Sequence, residues 1–287
     1  MTYQAVTTFV LPTGIGWWRE YVLRKEYSTR TTLQAARDFL KHQNVLLEAE
    51  VKRRTHELLA SQDAAILTIA ALVETRDNET GNHIRRTQHY VRVLARQLQT
   101  HPRFADYLTE HQIDILFKSA PLHDIGKIGI PASILHKPGR LGVEEMEMMK
   151  THTSLGANAI QEAENQLGVK VGFLACVHEI ALGHHEKWDG TGYPRGLSGT
   201  DIPISARLMA LADVYDALIS HRVYKPAMSH GQAATIIIGG KGTQFDPDVV
   251  DAFLAVQDGF RQVADRYADR EPLTACAETG KSVRCEG

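Results

Sequence analysis

The chain has few cysteines, no strong net charge and no long apolar run. Its three cysteines, Cys176, Cys276 and Cys285, form no CxxC pair. With no disulfide framework to protect, a reducing cytoplasm is the expected compartment. A bilayer crossing takes about 18 or more apolar residues in a row, and no such uninterrupted run exists here. Neither a signal peptide nor a membrane span is therefore expected. The formal net charge is -2, so no global charge argues for long nucleic acid as a partner. A compact anionic ligand remains compatible, because a local metal cluster would supply positive charge. Strand-like alternation is scarce, and glycine and proline are absent from Thr32 to Arg76. Nothing in that stretch breaks a helix.

The expected fold is all-α, a helical bundle preceded by a long N-terminal helix able to pair as a coiled coil. Residues 1–30 are unassigned, punctuated by Pro12, Gly14 and Gly16 before Trp17 and Trp18. Residues 31–60 read as a linker or signalling helix. Leu40, Leu47, Val51 and Leu58 mark a weak heptad seam, and Asn44 and Arg54 on the same seam limit its stability while fixing register. Two uses follow: pairing with a second copy, or passing on a signal. Residues 61–256 read as one helical domain. Ile66, Ile69, Ala70 and Val73 repeat at helical spacing, as do Val91, Leu94, Ala95 and Leu98. Gly and Pro gather in 126–142 and 190–203, which marks functional loops. Residues 257–287 read as the end of a helix and a polar, disordered tail.

Against this background the histidines stand out. His123-Asp124 and His184-His185 are adjacent pairs, and His83, His152 and Asp213 stand around them. Imidazole and carboxylate are the ligands that suit iron, manganese and zinc. Neighbours on a helix diverge by about 100°, so His123 and Asp124 could serve different ions, or Asp124 could bridge two. Glu79 and His83 make an E-x-x-x-H pair, which a helix would place on one face. Asp213 lies in the apolar string LADVYDAL, where an unpaired carboxylate is costly to bury; Asp216 poses the same puzzle more weakly. Paired metals are a device for phosphate-ester hydrolysis.

The assembled strings closely resemble the HD-GYP family of phosphohydrolases. They are ETRDNETGNHIRR (74–86), HDIGKIGIP (123–131), THTSLGA (151–157), HHEKWDGTGYPRGLSGTDIP (184–203), ARLMALADVYDAL (206–218) and SHRVYK (220–225). The resemblance implies an all-α domain that hydrolyses cyclic di-GMP to pGpG or GMP through a metal-activated hydroxide. It implies metal ligands at His83, His123, Asp124, His152, His184, His185 and Asp213, with Glu79 where some members hold a third ion. Two or three divalent metals, iron or manganese, are thus expected. Asp124 and Lys127 are the implied catalytic residues. Lys127, Arg222, Lys225 and Tyr193 are implied substrate contacts, and Trp188 is expected to pin the GYP loop to the core. That loop would also suit docking of diguanylate cyclase domains. The helix before the domain resembles the linker following a receiver domain in response regulators, yet residues 1–30 are too few to build a receiver. Two other functions are open: hydrolysis of another cyclic dinucleotide, or a catalytically silent scaffold.

Overall fold

In a computed structural model of the chain, the described residues form ten α-helices and three short 3₁₀ turns. The structure describes residues 4–77, 82–220 and 227–268, with side chains from Gly14 onward. Among these residues there is no strand, only two isolated bridges, Asp189 with Ser198 and Lys241 with Phe245.

Helix α1 runs Gln4–Asp77. It starts well before Thr32, passing through Gly14 and Gly16. Pro12 lies inside it too: an interior glycine costs about 1 kcal/mol and an interior proline about 3 kcal/mol relative to alanine, and the helix runs through all three. Residues Met1–Gln62 form one unit and Asp63–Gly287 a second. In the first, i,i+4 pairs such as Glu20 with Arg24 and Glu26 with Arg30 line the exposed helix surface. Each stabilises an isolated helix by about 0.3–0.5 kcal/mol. One 18-residue window of α1 averages a hydropathy of 1.4. Although no apolar run is uninterrupted, α1 is therefore long and apolar enough to cross a membrane by length and composition.

In the second unit, helix α2 (Asn82–Leu98) packs on α7 (Ile204–Ile219) and on α3 (Glu110–Ser119), while α6 (Gly172–Gly183) packs on α3, on α7 and on α5 (Val143–Leu167). Helix α4 (Ala132–Leu135) is a single turn between α3 and α5. Helices α8 (His230–Gly239), α9 (Pro247–Ala255) and α10 (Gln257–Arg266) close the far side. Capping is written in the sequence. Thr109 accepts the Gln112 amide at the start of α3, Ser229 and Gln232 box the start of α8, and Asp246 with Pro247 opens α9. The larger core joins α2, α3, α7, α9 and α10 around Tyr90, Leu94, Leu116, Tyr215 and Phe260. Tyr90 and Phe260 stack with centroids 4.5 Å apart, so α10 is an integral part of the packing. A smaller core gathers Ile66 and Ala70 from the end of α1 with Ile84, Leu122, Ile160 and Val177.

Candidate metal centre

Five chain segments bring candidate ligands to one buried place. The first turn of α2 brings His83. A 3₁₀ turn at Ala120–Leu122 ends on His123 and Asp124. Helix α5 brings His152, the end of α6 brings His184 and His185, and the middle of α7 brings Asp213. These seven residues make two groups, Asp124 with His152, His184 and His185, and His83 with His123 and Asp213. Within each, one candidate ligand atom per residue lies within 4.8 Å of all the others. Glu79, Arg222 and Lys225 lie outside the described residues.

Asp124 stands between the groups. Its Oδ1 is 3.3 Å from His152 Nε2 and 3.7 Å from His184 Nε2. Its Oδ2 is 3.2 Å from His123 Nε2. Each oxygen faces a different group, the arrangement a bridging carboxylate needs.

The ring orientations are set from behind. Nδ1 of His123 donates to the Ala120 carbonyl at 3.0 Å, that of His152 to Met149 at 2.7 Å and that of His184 to Ile180 at 2.9 Å. His83 Nδ1 donates to Asp216 Oδ2 at 2.9 Å. A ring that donates through Nδ1 presents a bare Nε2 lone pair. The result is a crowd of acceptors. Nε2 of His83 and of His123 sit 3.4 Å apart, too close for two lone pairs with nothing between them. Asp124 Oδ1, His152 Nε2 and His184 Nε2 are buried without a hydrogen-bond partner. Buried acceptors are normally satisfied, and divalent cations satisfy this set of imidazoles and carboxylates. The residues present fit divalent metal ions.

The electrostatics favour the metal-binding form at Asp124, His184 and His185, while at His123 burial is outweighed by the neighbouring Asp124 and Asp213, which raise the imidazole above its ordinary value. Burial pushes the Asp124 carboxyl up, but Lys127, His123 and His152 outweigh it and hold it well below the ordinary carboxylate range. Burial, then His184 and His152, hold His185 well below the ordinary imidazole value. Burial likewise lowers His184. Anionic carboxylate and neutral imidazole are the metal-binding forms.

Two glycines permit the closeness. A Cβ on Gly126 would lie 1.9 Å from the His152 carbonyl oxygen, so only glycine lets the turn after Asp124 rest on α5. A Cβ on Gly192 would lie 2.6 Å from the His185 carbonyl oxygen and 2.3 Å from the Lys187 amide. This brings the GYP loop against His185, where the Tyr193 ring stacks at 4.8 Å. Glu186, buried beside these ligands, accepts the Arg195 amide at 2.7 Å and the Leu197 amide at 3.0 Å. Trp188 donates its amide to the Gln244 carbonyl, and the guanidinium carbons of Arg103 and Arg207 lie 5.5 and 5.8 Å from its ring centroid.

Arg86, Glu186 and the pairing of Asp216 were not foreseen. Asp216 is almost wholly buried and accepts from Arg86 Nε at 2.6 Å and Nη2 at 3.0 Å while holding His83. The signal was spacing: Arg86 follows His83 by three, and Asp216 follows Asp213 by three. Each pair therefore shares a helix face. Asp216→Asn is expected to weaken metal binding 10- to 100-fold, the usual scale for a lost ligand-orienting carboxylate. It should also destabilise the fold, because it removes a buried carboxylate that accepts two hydrogen bonds from the Arg86 guanidinium. Metal titration and denaturant unfolding check both; parent-like metal affinity would remove Asp216 from the centre.

A family model described as HD domain matches residues 68–249. The chain belongs to the HD domain family. A probable cyclic di-GMP phosphodiesterase of Vibrio cholerae is 51% identical over 262 residues, 91% of this chain and 59% of that protein. A cyclic di-GMP phosphodiesterase of the same organism is 56% identical over 214 residues, 75% of this chain and 43% of that one. The chain thus spans about half the length of these relatives. A solved cyclic GMP-AMP specific phosphodiesterase of V. cholerae, V-cGAP3, shares 18% identity at a TM-score of 0.50 over 70% of this chain and 50% of its own. That likeness concerns the HD fold. The HD-GYP membership expected from the motifs stands with the two closely similar relatives.

Proposed function

We propose that the chain is a metal-dependent phosphodiesterase that hydrolyses cyclic di-GMP to pGpG, GMP or both. The observation that carries this is Asp124, whose two oxygens face separate ligand groups while Lys127 Nζ approaches it at 2.8 Å. Bound divalent metals, two or three with iron or manganese preferred, supply a nucleophile at neutral pH and stabilise charge on the phosphate. The chain does the rest. Asp124 and the imidazoles fix the ions, and Lys127 places a cation where a phosphate oxygen would lie, a charge-assisted contact. Arg222 and Lys225 serve the phosphates and guanines, and Glu79 completes a third ion site. Tyr193, stacked on His185, is a further substrate contact. The names of the two Vibrio relatives support cyclic di-GMP as substrate.

Product chromatography tests this reading. The manganese- or ferrous-loaded chain is expected to convert cyclic di-GMP, with 3′,3′-cyclic GMP-AMP run alongside to measure base selectivity. No conversion of cyclic di-GMP at full metal loading refutes it.

The cytoplasm is the proposed compartment, where the buried thiol of Cys176 would stay reduced. Thr191, Pro194 and Arg195 on the exposed rim of the GYP loop are the surface proposed for diguanylate cyclase domains. Helix α1 is proposed to pair with a second copy. Leu33, Leu40, Leu47, Val51 and Leu58 are each more than half exposed, a seam that a parallel partner would cover. Light scattering should give the mass of a dimer, and Leu47→Glu should shift it toward monomer; a monomeric parent at micromolar concentration counts against the pairing.

A further inference from the structure

The end of α1 is bound to the segment that carries Lys127. Arg76, one residue from the end of that helix, donates through Nη1 to the Ile128 carbonyl at 2.5 Å and through Nη2 to the Ile130 carbonyl at 3.0 Å. The Arg76 carbonyl in turn bonds His136 Nε2. Asp77, the last residue of α1, pairs with Lys127 Nζ. Both Asp77 and Lys127 are largely buried. A single turn of helix thus grips both flanks of Lys127: its ammonium through Asp77, and the backbone just beyond it through Arg76.

The grip is specific to that segment. Lys127 lies on a 3₁₀ turn, Ile125–Gly129, held internally by its amide on the Asp124 carbonyl and by the Ile130 amide on its own carbonyl. Such short turns are weakly held. Arg76 satisfies two of the carbonyls at its exit. When Asp124 is engaged by metal, Asp77 remains as an anion that fixes the ammonium without being a member of either ligand group.

We infer that Arg76 and Asp77 are positioning residues that aim Lys127, so that the final turn of α1 sets the phosphate contact independently of the metals. This rests on the phosphate role of Lys127 proposed above. Helix α1 is continuous to Gln4, so a change in its last turn has a direct path to the reacting group. The two charged contacts give that path discrete partners and not a diffuse packing surface, which is what a defined coupling requires.

Two measurements decide it. Hydrogen exchange on the metal-free chain needs no turnover. Arg76→Gln should speed exchange of a peptide spanning 125–131 while peptides from α5 and α7 keep parent rates; parent rates in 125–131, or equal acceleration everywhere, overturn the strap. The second is a kinetic cycle on the metal-loaded chain. Asp77→Asn should retain parent metal content and lower kcat between about tenfold and 100-fold, the cost of misplacing a reacting group by about 1 Å. In a Lys127→Ala background the same substitution should add almost nothing, because residues acting through one group are not additive. Full multiplication of the two effects overturns the inference. A parent chain with no turnover refutes the phosphodiesterase reading instead, and hydrogen exchange still decides the strap.

Discussion

Asp124→Ala should strip the chain of bound metal and of activity together. The Asp124 carboxylate faces the two groups of candidate ligands, one oxygen to each. Without it, the Nε2 lone pairs of His123, His152 and His184 surround an uncharged hole. Desolvated dications need anionic ligands, and Asp213 alone would serve only the group containing His83 and His123. Removing an outer carboxylate costs 10- to 100-fold in metal affinity, so loss of a carboxylate that faces both groups should exceed about 100-fold. Elemental analysis of the purified variant reads this directly. Lys127 would also lose a counter-charge at 2.8 Å, so the defect should not be repaired by excess metal. Retention of the parent metal content would mean that Asp124 is not a ligand.

Lys127→Ala should produce the opposite split, with metal content kept and turnover lost. The amine is not among the ligand groups, and it approaches Asp124 from outside. If it meets a phosphate oxygen as charge develops, its removal should lower kcat by about 10²–10³-fold, the scale for one lost oxyanion donor. Lys127→Arg should recover only part, since the planar guanidinium cannot occupy the same point. A variant that loses metal in step with activity would reassign Lys127 to support of Asp124.

Much of this centre was legible because its ligands occur in adjacent pairs. His123-Asp124 and His184-His185 announce a shared site before any fold is known, and the Gly-rich strings mark the loops beside them. The all-α class followed from helical spacing and from missing alternation. What could not be read was the content of helix crossings. Arg86 and Asp216 are surface-type residues whose burial depends on α2 crossing α7, and their partnership exists only in three dimensions. The strap at Arg76 is of the same kind: its acceptors are backbone carbonyls, which carry no sequence signature. Gly126 and Gly192 could be read as flexible, but the close approaches to His152 and His185 that require them could not. The long start of α1 was hidden for another reason. Pro12, Gly14 and Gly16 read as breakers, yet α1 runs through all three, at a cost of about 3 kcal/mol for the proline and about 1 kcal/mol for each glycine.

The most direct test is turnover of cyclic di-GMP as a function of metal ions bound per chain. The stripped protein should be inactive, and activity should rise with added manganese or ferrous iron to a plateau at two or three ions per chain. Undiminished hydrolysis by the metal-free chain, or none at full occupancy, would contradict a metal centre bridged by Asp124 as the seat of the reaction.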